Sequence, residues 1–136
     1  MARLGITEAF ARYKARLRNP QWSVSAWSPT GELVVSLWDH HYRKGPAGTM
    51  EFADTFERWT GHGNSEFRIN VRKAFEEQSP VRLVIVKTDQ IERVEAGEDA
   101  STVRKEFFLR DELVGKVVDI EGDRYVFRFQ RIEGRA

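Results

Sequence analysis

Val81-Arg82-Leu83-Val84-Ile85-Val86-Lys87 is a nearly continuous apolar run, rich in β-branched residues. Such a run predicts a strand covered on both faces and therefore central in its sheet. On its N-terminal side, Phe67, Val71, Ala74 and Phe75 recur at helical spacing, and Gln78-Ser79-Pro80 supplies a stop. A helix over 64–77 with one buried face follows. Asn64 or Ser65 can cap it, and Glu66 suits its first turn. This helix opens out of the glycine-flanked loop Trp59-Thr60-Gly61-His62-Gly63. Free backbone N–H groups at such a start can receive an anion.

On the C-terminal side, Thr88 to Ala100 is polar and acidic and reads as a loop with a helical turn at 89–95. Residues 95–101 are expected to be the most mobile. Lys105 to Arg110 reads as a short strand. Leu113 to Ile120 and Arg124 to Ile132 read as a hairpin about Glu121-Gly122-Asp123. Tyr125, Phe127 and Phe129 share one face of it, and Arg124, Val126, Arg128 and Gln130 the other, so one face is covered and one partly wet. Residues 133–136 should fray.

Farther out, Ile6, Phe10, Tyr13 and Leu17 form a stripe that predicts a helix over 6–18, with Thr7 as a cap and Asn19-Pro20 as its end. Arg12 and Arg16 fall on its outer face. Residues 21–38 read as a hairpin about Ser28-Pro29-Thr30-Gly31. Trp22, Val24 and Ala26 alternate with Ser23, Ser25 and Trp27, and Leu33, Val35 and Leu37 share one face of the second strand. Trp27 and Trp38 are expected away from these runs, with at least one exposed. Apolar positions at 50, 52 and 56 do not decide between strand and helix, and the Gly48-Thr49 return favours a strand.

The sum is an α+β domain spanning 1–136. It has a curved, mostly antiparallel sheet or partly open β-barrel of about six or seven strands with two main helices. A flat sheet flanked by helices is the alternative. A chain of 136 residues with 40% hydrophobic and 32% charged content can build such a core. The absence of cysteine excludes disulfides, thiol nucleophiles and cysteine-bound zinc. Together with the lack of any long apolar run, it leads us to expect a soluble, cytoplasmic protein with no membrane partner. The net charge of +1 excludes an overall basic field. Residues 1–20 nevertheless carry Arg3, Arg12, Lys14, Arg16 and Arg18 against Glu8 alone.

Asp39-His40-His41-Tyr42-Arg43-Lys44 is the densest polar cluster. On a strand, His40 and His41 would point to opposite faces and could not share an ion, so no metal and no cofactor is expected. No Walker loop, Gly-x-Ser-x-Gly elbow or His-Glu-x-x-His appears. A carboxylate–lysine nuclease pair fails at Ile85, two positions before Lys87. Nucleic-acid binding draws on more of the chain. Arg43, Lys44, Arg68 and Arg72 would engage phosphate, and Trp38, His41, Tyr42, Trp59, His62 and Asn64 would complete the ligand-facing set. The alternatives are a protein-interaction or homodimerisation module, and a small enzyme using His40, His41 or His62.

The layout resembles small bacterial domains of the PUA-like superfamily, which includes the EVE and SRA-type readers of modified bases. The residues that carry it are Trp38 to Tyr42, Trp59 to Asn64 and the closing hairpin Val114 to Phe129. The resemblance is one of architecture across most of the chain. It implies a curved barrel with inserted helices and an aromatic cage for a flipped or modified base of DNA or RNA, without catalysis. Trp38, Tyr42 or Trp59 would form that cage.

Overall fold

A computed structural model describes residues 4–132. Val81–Lys87 forms β5, the hub of the sheet. One edge of β5 pairs in parallel with β2 (Leu33–Trp38), from Leu33↔Val81 to Trp38↔Val86. Its other edge is shared. The antiparallel β6 (Glu106–Leu109) runs along 84–87, and β7 (Leu113–Glu121) meets it at Val81↔Gly115. β1 (Ser25–Trp27), β3 (Tyr42–Lys44), β4 (Thr49–Thr55) and β8 (Arg124–Arg131) complete the sheet. The order is β1-β2-β5-β7-β8-β4-β3, with β6 beside β5. All pairings except β2–β5 are antiparallel, and the sheet does not close. The eighth strand, beyond the expected six or seven, is the three-residue edge strand β3.

The parallel pair demands a long crossover, and it runs through β3, β4 and α2 (His62–Glu77). α2 lays Phe67, Val71 and Ala74 on Leu33, Leu83, Phe127 and their neighbours. The opposite face of β2 and β5 offers Val34 and Val84 to Phe10, Tyr13, Ala15 and Leu17 of the N-terminal segment. Two covered faces explain why β5 reads as continuously apolar. β8 has its aromatic face inward only and alternates accordingly. Two residues, Gly122 and Asp123, join β7 to β8, with Gly122 at φ +60°. Positive φ at the first central position is what a type II′ hairpin turn asks for.

Four local expectations need correction. α1 spans only Ile6–Ala11, although a helix to residue 18 was expected. Lys14 turns left-handed at φ +62°. The Ala15 and Lys14 N–H groups return to the carbonyls of Phe10 and Ala11, at 3.1 and 2.9 Å, which is a Schellman stop. Beyond it Tyr13, Ala15 and Leu17 are buried while Lys14, Arg16 and Arg18 are exposed. That is a period of two. Tyr13 and Leu17, four apart, satisfy either period, which is why the helical reading ran on. Thr7 is not the cap: Gly5 stands there, its N–H on Glu8 Oε1 at 3.3 Å.

α2 begins at His62, ahead of Asn64 and Ser65, with Gly61 as N-cap at φ +115°, ψ −177°. That backbone is open essentially to glycine alone. Gln78 ends the helix left-handed at φ 52°. Trp27 and Trp38 are both half-buried, so neither is the exposed tryptophan expected. Trp27 Nε1 donates to Asn70 Oδ1 at 3.0 Å, under Lys73. Residues 50–56 resolve as strand through Thr55, and Phe56 opens a 3-10 turn, Phe56–Arg58. Residues 133–136, expected to fray, lie outside the described residues. No helix among the described residues is long and apolar enough to cross a membrane.

Candidate functional site

At the end of β2 the chain enters a 3-10 turn, Asp39–His41, rather than continuing as strand. Successive side chains of such a turn lie about 120° apart, not 180°. His40 and His41 therefore sit on one side, ring centroids 4.5 Å apart, and the premise that they point to opposite faces is overturned. α3 (Ile91–Glu95) delivers a carboxylate to both. Glu95 Oε2 lies 3.0 Å from His40 Nε2 and 2.7 Å from His41 Nε2. Behind His41, Asp54 Oδ2 on β4 stands 3.5 Å from Nδ1.

Arg58 Nε donates to that same Asp54 oxygen at 2.8 Å, and Arg58 Nη1 donates to the Val94 carbonyl at 2.8 Å. α3 is thereby tied to the 3-10 turn. A side chain at Gly97 (φ +81°) would meet the Arg58 carbonyl at 2.4 Å, so glycine permits the close approach. Burial alone would raise the Glu95 carboxyl. The hydrogen bonds of His41 and His40 and the charges of His41 and Arg58 outweigh it and hold that carboxyl below the usual range. The Tyr125 hydroxyl donates to Asp54 at 3.4 Å, and burial pushes it well above the usual phenol range.

The start of α2 forms a second neighbourhood. Asn64 is buried, its Nδ2 donating to the Phe56 carbonyl and its Oδ1 accepting from Arg68 Nε, each at 2.8 Å. Its amide is used within the fold. Arg68 and Arg72 stand over the Phe56 ring, 5.4 and 5.2 Å from its centroid. Trp59 is half-buried against Phe67, and exposed His62 lies 5.5 Å from the Trp22 ring.

Tyr42, Arg43 and Lys44 lie apart from both, exposed on edge strand β3. Tyr42 rests edge-on against Phe52. Arg43 Nε donates to Glu51 Oε1 at 2.9 Å, and Arg128 Nε donates to Glu51 Oε2 at 2.7 Å. Burial would raise the Glu51 carboxyl, but the hydrogen bonds and charges of Arg128 and Arg43 hold it below the usual range. A lowered folded-state value stabilises above the unfolded-state value and is lost as pH falls toward the folded one. Glu51→Gln should therefore cost about 1 kcal/mol at pH 7, since the Arg43 and Arg128 side chains are 48% and 40% exposed and solvent screens the pairs. In urea titrations the gap to wild type should close below roughly pH 4.3. A gap independent of pH would refute the ion-pair account.

The residues named from sequence thus fall into three groups. Trp38 and His41 join the histidine–carboxylate cluster, with the Trp38 ring 5.9 Å from His40. Trp59, His62, Asn64, Arg68 and Arg72 gather around Phe56 and the start of α2. Tyr42, Arg43 and Lys44 occupy the edge. Among the described residues no ring pair joins Trp38, Tyr42 and Trp59. Sequence reasoning missed Glu95, Asp54 and Arg58, which arrive from elements distant in the chain. Two shallow grooves, about 300 and about 390 Å³, run along β7 and β8, and none of the ten named residues lines them.

Arg43, Arg58, Arg68, Arg82, Arg93, Arg110 and Arg128 each hold a carboxylate. Arg12, Lys14, Arg16 and Arg18 hold none among the described residues and are exposed. No family model matches the chain, and neither a curated protein nor a solved structure matches it.

Proposed function

We propose that the protein is a non-catalytic nucleic-acid-binding module whose cationic row Lys14, Arg16 and Arg18, with Arg12 beside it, engages the phosphate backbone. The observation that carries this reading is the alternation: buried Tyr13, Ala15 and Leu17 fix the segment to the sheet, and every residue between them is an exposed, unpaired cation. Arg68, Arg72, Arg43 and Lys44 form further cationic ground. The finer reading, a modified or flipped base met by Trp38, Tyr42 or Trp59, belongs to the same proposal.

Fluorescence anisotropy with labelled single- and double-stranded DNA and RNA, with and without modified bases, at two salt concentrations tests it. Wild-type affinity should fall steeply with salt. Lys14→Gln/Arg16→Gln/Arg18→Gln should weaken binding to all sequences and lower the log–log salt slope by about 2–3, at roughly 0.7–0.9 per phosphate contact. A preference for one modified base would support the finer reading. Absence of binding to every probe at low salt would sink the proposal. Loss in Arg68→Gln/Arg72→Gln alone would move the surface to α2.

A further inference from the structure

We propose that His40, His41 and Glu95 form a binding site for one divalent transition-metal ion of the zinc class. One ring nitrogen each of His40 and His41 and a Glu95 oxygen lie within 4.8 Å of one another, brought together from the 3-10 turn after β2 and from the end of α3. Ligands about 2.0–2.2 Å from a tetrahedral ion stand roughly 3.3–3.5 Å apart. The present contacts of 2.7 and 3.0 Å need to open only slightly. Two imidazoles and one carboxylate suit zinc or its neighbours, whereas calcium and magnesium favour oxygen alone.

His41 carries the argument furthest. Both its ring nitrogens face carboxylate oxygens, Nδ1 toward Asp54 and Nε2 toward Glu95. A neutral imidazole has one N–H to give. Binding a metal ion at Nε2 would need the neutral ring with its hydrogen on Nδ1, toward Asp54, so the ion would replace the Nε2–Glu95 hydrogen bond. A carboxylate behind the non-ligating nitrogen is also how metal-bound histidines are commonly oriented. Asp54 is itself fixed by Arg58. Glu95 is 45% exposed, which gives an ion a way in and leaves its remaining positions to water. This site is independent of the cationic row, and either proposal can fail alone.

The test is titration of metal-free protein with Zn²⁺ by calorimetry and with Co²⁺ by visible absorption. One equivalent should bind, with the intense d–d bands of tetrahedral cobalt. His41→Ala and Glu95→Gln should abolish saturable binding, and Asp54→Asn should weaken it about 10–100-fold. His62→Ala, outside the cluster, should bind as wild type. Because a variant can fail by misfolding, ring ¹⁵N spectra of wild type supply a second readout: Zn²⁺ should shift His40 and His41 and leave His62 in place. No saturable binding, or binding retained in His40→Ala/His41→Ala, overturns the proposal. So does a zinc-induced shift confined to His62.

Discussion

Phe67→Ala should destabilise the protein by about 3–5 kcal/mol, the usual cost of truncating a buried phenylalanine. Phe67 is 2% exposed and stands where α2 meets the aromatic face of the sheet. Its ring contacts Tyr125 at 5.4 Å, Phe56 at 6.2 Å, and Trp59 and Phe127 at 6.3 Å. Several of these pairs are tilted or edge-on, which favours aromatic contact beyond area alone. Large rigid rings around the cavity cannot collapse into it, so the cost should lie toward the upper end. The melting midpoint should fall by roughly 10–20 °C. Phe67→Leu keeps most of the volume and should cost less than about 1.5 kcal/mol. Urea midpoints with unchanged m-values would measure both. A loss below about 1 kcal/mol in Phe67→Ala would mean that α2 is not seated on the sheet by this side chain.

Phe67 also shows what the sequence makes legible. Its helical spacing with Val71 and Ala74 marks the buried face of α2 correctly, because a half-buried helix must repeat its apolar residues near 3.6. The β7–β8 hairpin is legible for the corresponding reason, the period of two in Tyr125, Phe127 and Phe129. The parallel pairing of β2 with β5 has no such signal. Both strands read as apolar, and pairing direction depends on a crossover of more than forty residues whose ends carry no local mark. The end of α1 is obscured by coincidence, since positions 13 and 17 fit both periods. A lysine in the left-handed conformation is not a sequence signal in the way glycine would be.

The candidate sites divide along the same line. The cationic residues 12–18 are visible in the sequence, but their alternation with buried Tyr13, Ala15 and Leu17 becomes clear only once the helix is known to stop at Ala11. The histidine pair is visible, yet its geometry was misjudged because one 3-10 turn changes the angle between neighbours from opposed to adjacent. Glu95 lies over fifty positions from the histidines, in an acidic stretch that reads as solvated loop. Its role depends on Gly97, which lets α3 dock against the Arg58 carbonyl. Nothing short of tertiary structure joins those residues.

Gly63→Ala should cost roughly 2 kcal/mol or more, against the direction that helix propensity alone gives. Within a helix, glycine to alanine ordinarily gains up to about 1 kcal/mol. Here a Cβ would fall 2.1 Å from the Trp22 carbonyl oxygen and 3.2 Å from its carbon. Those are backbone atoms, so no rotamer change relieves the clash. Either the loop around Trp22 or the start of α2 must move, and such overpacking typically costs about 1–3 kcal/mol or more. Gly61→Ala is the informative control. A Cβ there meets nothing within 4 Å, but the backbone is at φ +115°, so its cost of about 1–3 kcal/mol would be conformational strain alone. Tryptophan emission should separate the two, because Trp22 and Trp59 both border Gly63 while Gly61 has open space around it. Gly63→Ala should change the folded-state spectrum as well as the urea midpoint. If Gly63→Ala proves as stable as wild type, Trp22 does not press on α2, and the Trp22–His62 contact falls with it. If it is destabilised while any nucleic-acid binding proposed above is unchanged, that binding does not depend on the start of α2.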